Sequence, residues 1–115
     1  RMSRFSKIGG EMVPHETIEM RVYAALELSQ DEKTVAITGI PDESKGEALV
    51  LLSTREIDLT QLRQKLSESG LPNLWIPKKS VRVSEIPHLA TGKLDLRGIQ
   101  TLALQSAERS SKNTP

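Results

Sequence analysis

Val35-Ala36-Ile37-Thr38-Gly39-Ile40-Pro41-Asp42-Glu43-Ser44-Lys45-Gly46-Glu47-Ala48-Leu49-Val50-Leu51-Leu52 is the stretch on which the fold turns. Residues 35–40 read as a strand, ended by Pro41-Asp42 and a polar turn through Lys45-Gly46. Residues 48–52 are apolar at successive positions, so both faces are covered and the segment reads as a buried central strand. The two are expected to form an antiparallel pair.

Upstream, residues 5–8 read as a short strand, with Phe5 and Lys7 facing one way and Ser6 and Ile8 the other. Gly9-Gly10 permits a sharp turn, and Met12-Val13 returns as a second strand, giving a small hairpin. Pro14 suits the first turn of a helix, where a missing N–H costs nothing. Over residues 16–28, Ile18, Val22, Ala25 and Leu26 fall at helical spacing, and Glu16 and Glu19 near the start suit the helix dipole.

Downstream, Asp58 or Leu59 opens a helix with Leu59, Leu62, Arg63 and Leu66 along one side, and Gly70 closes it. Residues 71–77 form a rigid connection restricted by Pro72 and Pro77. Val81 and Val83 alternate with Arg82 and Ser84 as a half-buried strand that Pro87 terminates. Asp95 caps a last helix carrying Leu96, Ile99, Leu102 and Ala103. From Glu108 onward Ser, Lys, Asn and Pro dominate, which predicts a disordered tail over 108–115. The order hairpin–helix–strand–strand–helix–strand–helix predicts an α+β fold: a small N-terminal β-hairpin plus a three-stranded sheet flanked by helices.

The 115-residue length fits one domain. With Trp75, Tyr23 and Phe5 as the only large rings, its core must be aliphatic. No cysteine is present, which excludes disulfides and thiolate chemistry. His15 and His88 share no ligand spacing, so no structural zinc or other metal site is expected. A net charge of +1 argues against a broad nucleic-acid footprint, leaving only short basic patches such as Lys78-Lys79 with Arg82. No apolar run reaches the ~18 residues of a membrane-spanning helix, and the N-terminus lacks the parts of a secretory signal. No glycine-rich phosphate loop of either common type occurs. The chain starts at Arg1 without an initiator methionine and reads as a piece of something larger.

Two segments carry candidate chemistry. In the turn Thr91-Gly92-Lys93, between Ile86-Pro87 and Asp95, a lysine hangs on an exposed loop. Its ammonium is a compact charge on a flexible stem, suited to oxygens that gain negative charge during phosphoryl chemistry. Alone, the tripeptide equally describes a solvated lysine in a glycine turn. Near the other end, Gly9-Gly10 beside Lys7 permits close backbone approach to an extended ligand, or is an ordinary hairpin turn. Arg1 and Arg4 flank Ser3 and can meet phosphate or ribose oxygens, or be surface charge near a chain end. Trp75 reads as a plug under a loop rather than a stacking platform. His88 reads as exposed, and without a paired nucleophile it makes no catalytic constellation.

Taken together, residues 1–19 and Pro87-His88-Leu89-Ala90-Thr91-Gly92-Lys93 resemble two motifs of the adenylate-forming enzymes, a family that includes acyl-CoA synthetases, luciferases and nonribosomal peptide adenylation domains. The first resembles the crossing from that family's large N-terminal domain into its small C-terminal one, the second its late Pro-x-x-x-x-Gly-Lys motif. Three strings are similar to the acyl-[acyl-carrier-protein] synthetase/2-acylglycerophosphoethanolamine acyltransferase branch. They are Arg4-Phe5-Ser6-Lys7-Ile8-Gly9-Gly10-Glu11-Met12-Val13, Ser44-Lys45-Gly46-Glu47-Ala48-Leu49-Val50-Leu51 and Gly70-Leu71-Pro72-Asn73-Leu74-Trp75-Ile76-Pro77. The resemblance extends to about residue 107.

The resemblance implies three parts: a hinge and hairpin over 1–14, a mobile lid domain over 15–107, and the tail. It implies Lys93 as the catalytic residue of adenylate formation, with Arg1, Arg4 and Lys7 against the nucleotide. Gly9, Gly10 and Glu11 form the hairpin used at the thioester stage, and Ser3 stands at the hinge, where many relatives carry Asp or Lys. It further implies ATP with magnesium as cofactor in the full-length enzyme, none of it held by this domain alone. The implied partners are a missing N-terminal adenylation domain, a fatty acid and acyl carrier protein or CoA, with no nucleic acid. The implied location is cytoplasmic, with the full-length protein at the inner face of the cell membrane, and in bifunctional members a lysophospholipid acyltransferase is fused. Glu11 stands where acyl-CoA synthetases are often basic, which favours a carrier-protein acceptor. The alternatives are a lid from an acyl- or aryl-CoA ligase, and a non-catalytic interaction module that kept the lid fold.

Overall fold

The computed structural model describes residues 4–29, 32–43 and 46–112, with side chains described as far as residue 106. Arg1, Ser3 and Lys45 therefore lie outside the described residues. The elements run β1 (Phe5–Ile8), β2 (Glu11–Pro14), α1 (His15–Ala25), β3 (Val35–Asp42), β4 (Gly46–Ser53), α2 (Leu59–Glu68), β5 (Lys79–Arg82) and α3 (Leu96–Lys112). A single 3-10 turn, Asn73–Trp75, precedes β5.

β3 and β4 pair antiparallel over their whole length, from Val35↔Ser53 to Asp42↔Gly46, as the run of apolar residues implies. β3 continues through Pro41 and Asp42, beyond the stop expected at Pro41. It is an edge strand, where a residue without an N–H is tolerated. β4 is central, and β5 joins its other side in parallel, Val50↔Lys79 to Ser53↔Arg82. β5 begins two residues before the expected Val81, and Val83 adds only one further bond, to the Ser53 carbonyl.

Strand alternation sorts the sheet into two cores. Val35, Ile37, Leu49 and Leu51 face Ile18, Val22 and Tyr23 of α1, Leu62 and Leu66 of α2, and Ile8 and Val13 of the hairpin. Ala36, Ile40, Val50 and Leu52 face Ile86 and the α3 residues Ile99 and Ala103. β4 is thus covered on both faces from Leu49 on, which is why its sequence is apolar at every step over residues 48–52.

Pro14 is not a helical residue: it ends β2, paired with Phe5, and stands at the helix N-cap with φ −79° and ψ 125°. α1 stops at Ala25 although apolar spacing continues to Leu28, because Glu27 turns left-handed at φ +57°. The Leu28 N–H then bonds the Tyr23 carbonyl at 2.9 Å and the Glu27 N–H the Ala24 carbonyl at 3.2 Å, a Schellman closure. α2 starts as expected, with Asp58 Oδ1 accepting the Gln61 N–H at 3.1 Å, and closes on Gly70 at φ +96°. α3 starts with Asp95 Oδ1 on the Gly98 N–H at 3.1 Å. Its backbone runs to Lys112, past the residue 108 where composition predicted a disordered tail; residues 113–115 lie outside the described set. No helix among the described residues is long and apolar enough to cross a membrane.

Candidate functional site

Lys93 sits on a loop folded back on itself. His88 and Leu94 face each other as an antiparallel bridge. The Leu89 N–H donates to the Lys93 carbonyl at 2.7 Å, the Gly92 N–H to the Leu89 carbonyl at 2.9 Å, and the Asp95 N–H to the Pro87 carbonyl at 3.0 Å. Gly92 is left-handed at φ +90° with open space where a Cβ would sit, so conformation rather than crowding calls for glycine. Buried Ile86 and half-buried Leu94 root the loop in the α3-side core. His88 is half-buried rather than exposed: its Nδ1 bonds the Ile86 carbonyl at 2.6 Å, stiffening the loop's base. The Lys93 side chain is exposed and makes no ion pair among the described residues. The loop holds a solvated ammonium on a braced backbone.

Beside this loop runs a groove of about 200 Å³, lined by Glu19, Tyr23, Lys33, Val35, His88, Gly92 and Leu94. A second groove of about 230 Å³ lies on the other side of Glu19 and Tyr23, lined by Arg4, Glu16 and Met20. Both fall below the roughly 300–1,000 Å³ of pockets that enclose a small-molecule ligand. Among the described residues no group of three or more His, Cys, Asp or Glu could hold a metal ion. Lys93 stands beside the first of these grooves as an exposed cation rather than inside an enclosed pocket.

Arg4 is tied into the fold by its own contacts. Its Nη1 donates to Glu19 Oε1 at 3.0 Å, its Nη2 pairs with Glu19 Oε2, and Nη2 also reaches the Ile37 carbonyl at 3.2 Å. Glu19 Oε2 accepts the Ile37 N–H at 2.7 Å. Only 8% exposed, the Glu19 carboxylate needs a countercharge, and Arg4 supplies it. The same network corrects the reading of Glu19 as a dipole charge. His15, Ile18, Glu19, Val22 and Tyr23 form one buried helical stripe, and that spacing is the signal that could have shown the acid facing inward.

The hairpin turn is as the sequence implies. Gly9 and Gly10 have φ of +57° and +86° between the closing pair Ile8↔Glu11, the doubly left-handed pattern of a two-residue hairpin loop. Phe5 and Lys7 face outward, Ser6 and Ile8 inward. The Lys7 side chain is exposed, while its backbone N–H donates to Glu47 Oε2 at 2.7 Å. The Trp75 indole N–H donates to Glu11 Oε1 at 2.8 Å, a contact the sequence did not reveal. Trp75 is half-buried against the main core, as a plug should be. Inside the hairpin, Ser6 Oγ and His15 Nε2 bond at 2.6 Å. Burial, with the nearby Arg4 charge, lowers the His15 pKa from 6.5 to about 4, so the ring is neutral near pH 7.

Lys93 and the glycine turn are not brought together. The Lys93 loop packs beside Val35, at one end of β3. The hairpin tip lies by Gly46 and Glu47, opposite the other end of β3; a Cβ on Gly46 would lie 3.3 Å from the Lys7 carbonyl. Seven strand steps separate the two ends, roughly 20 Å.

No protein-family profile matches the chain. A fatty acyl CoA synthetase of Mycobacterium tuberculosis superposes with a TM-score of 0.72 at 23% identity, covering 93% of this chain and 21% of that one. The fold is that of the C-terminal domain of acyl-CoA ligases. ATP-bound MatB of Rhodopseudomonas palustris shares the C-terminal-domain fold at a TM-score of 0.69 and 22% identity, covering 87% of this chain and 20% of MatB. In sequence, the domain is 35% identical over 102 residues to VraA of Staphylococcus haemolyticus, whose name assigns it as a long chain fatty acid-CoA ligase. That alignment covers 87% of this chain, which spans about a fifth (21%) of the length of VraA. These similarities support a place for the domain in the adenylate-forming superfamily.

Proposed function

We propose that this chain is the mobile C-terminal domain of an ATP-dependent fatty acid ligase, one that forms an acyl-adenylate and then passes the acyl group to the thiol of acyl carrier protein. In the first step a carboxylate oxygen bonds to the α-phosphorus of ATP and the bond to pyrophosphate breaks. In the second the thiol sulfur bonds to the acyl carbonyl, AMP leaves, and the thiol proton passes to solvent. Lys93 supplies positive charge to the oxygens of the first step. Lys7, Gly9, Gly10 and Glu11 belong to the second, with Ser3 at the hinge and Arg1 against the nucleotide. ATP and its magnesium are held by the N-terminal adenylation domain. In this reading the enzyme is cytoplasmic, and where a lysophospholipid acyltransferase is fused it works at the inner membrane face.

The observation that carries the reading is the exposed, unpaired Lys93 on a braced loop by the Val35 end of β3, with the glycine turn by the other end. Two groups on separate parts of one domain, a loop and a hairpin outside the β3-β4-β5 sheet, serve one carbonyl only in turn, which favours a domain that rotates between half-reactions. In the complete enzyme, Lys93→Ala is expected to slow adenylate formation by about 10²–10³-fold, the loss typical of one placed charge-stabilising donor. Thioester formation from supplied acyl-adenylate should persist. Loss of both half-reactions, or of neither, would remove Lys93 from this role. A second reading, transfer to CoA, is favoured by the name of VraA. Turnover with acyl carrier protein against CoA, in the same enzyme, separates the two.

A further inference from the structure

The hairpin is a two-stranded sheet of its own and shares no ladder with the β3-β4-β5 sheet. Such a hairpin is marginal in isolation, so its orientation comes from whatever it touches. Its inner face is seated by buried Ser6, Ile8 and Val13. Its tip, Gly9, Gly10 and Glu11, is exposed.

Two polar ties bracket that tip, one on each strand: Glu47 Oε2 on the Lys7 N–H of β1, and the Trp75 indole on Glu11 of β2. Trp75 is a stiff post. Its backbone N–H closes the 3-10 turn on the Pro72 carbonyl at 2.9 Å, and Leu71 and Ile76, on either side of that turn, are buried. Adjacent Leu74 lies beneath the turn, where a Cβ on Gly9 would meet it at 3.8 Å. The Trp75–Glu11 bond is open to water and weak as a stabiliser, so its effect is directional.

We infer that Trp75 is a positioning residue for acyl transfer to the thiol: through Glu11 it sets the pitch at which the glycine turn meets the reacting thioester. The inference rests on the hairpin's proposed role in that step.

The test measures both half-reactions in the complete enzyme, together with Tm. Trp75→Phe keeps an aromatic ring against the core while removing the donor together with part of the indole's volume, the loss that Tm reads. It should slow thioester formation from supplied acyl-adenylate by about tenfold to a hundredfold, the scale of an ångström of misplacement, and leave adenylate formation unchanged. Glu11→Leu should slow the thioester step similarly, the double variant no further, and Glu11→Gln, which keeps an acceptor oxygen, should recover most of the rate. Gly10→Val reads the hairpin role directly. If it slows the thioester step while Trp75→Phe does not, the positioning role is wrong and the hairpin reading stands. If neither slows it, both fail. A Trp75→Phe variant that loses both half-reactions along with Tm would show a packing role and overturn the inference.

Discussion

An imidazole buried without a carboxylate partner is committed to its neutral form, and His15 has a neutral hydroxyl, Ser6, as its partner and the Arg4 guanidinium nearby. In the unfolded chain the ring titrates near 6.5, in the folded chain near 4, so between those values the unfolded state binds more protons. The contribution is complete above pH 6.5 and declines as pH falls through that window, by at most ~1.4 kcal/mol per pH unit for one group. Urea denaturation at pH 7 and pH 5 should show this loss in the wild-type domain and a smaller one in His15→Gln. Parallel losses in the two proteins would assign the acid sensitivity to other groups.

At the level of elements, the hairpin's fit depends on an absent side chain. A Cβ on Gly39 would lie 2.1 Å from Ser6 Oγ and 2.7 Å from Glu47 Oε1, the two groups through which β1 seats on β3 and β4. Gly39→Ala should cost about 1–3 kcal/mol, as overpacked cores do, and act first on the hairpin. Amide exchange in β1 and β2 should accelerate while β4 stays protected; uniform acceleration would mean that the hairpin and sheet open together. The α1 terminus offers the opposite case. Glu27 takes the left-handed position that closes a Schellman motif, where glycine is unstrained. Glu27→Gly should therefore raise stability by about 0.5–1 kcal/mol after the added freedom of the unfolded glycine is subtracted, with an unchanged denaturant slope. A loss of stability would show that Glu27 contributes more than it strains.

Across the whole molecule, what could be read in advance followed from how far each residue's environment is dictated locally. β4 announced itself because both faces are buried, and α2 and α3 because Asp58 and Asp95 cap them in the usual way. The Gly9-Gly10 turn and the exposed Lys93 loop were legible for the same reason: glycines at left-handed positions mark turns without reference to distant partners. The parallel docking of β5 was not legible, since alternation gives a strand but no direction. Nor was the end of α1, where a glutamate stands in a glycine's place. The Arg4–Glu19 pair was not legible either, because the two lie 15 residues apart and meet only once α1 packs on β3. Trp75 and Glu11, 64 residues apart, meet only in the finished fold.

Residues 5–14 lie on the scaffold by side-chain fit and the Lys7 N–H bond to Glu47, with no strand ladder crossing to β3, β4 or β5. Replacing that segment as a unit therefore leaves the β3-β4-β5 pairing intact. The hairpin can be re-engineered without re-solving how the rest of the domain folds.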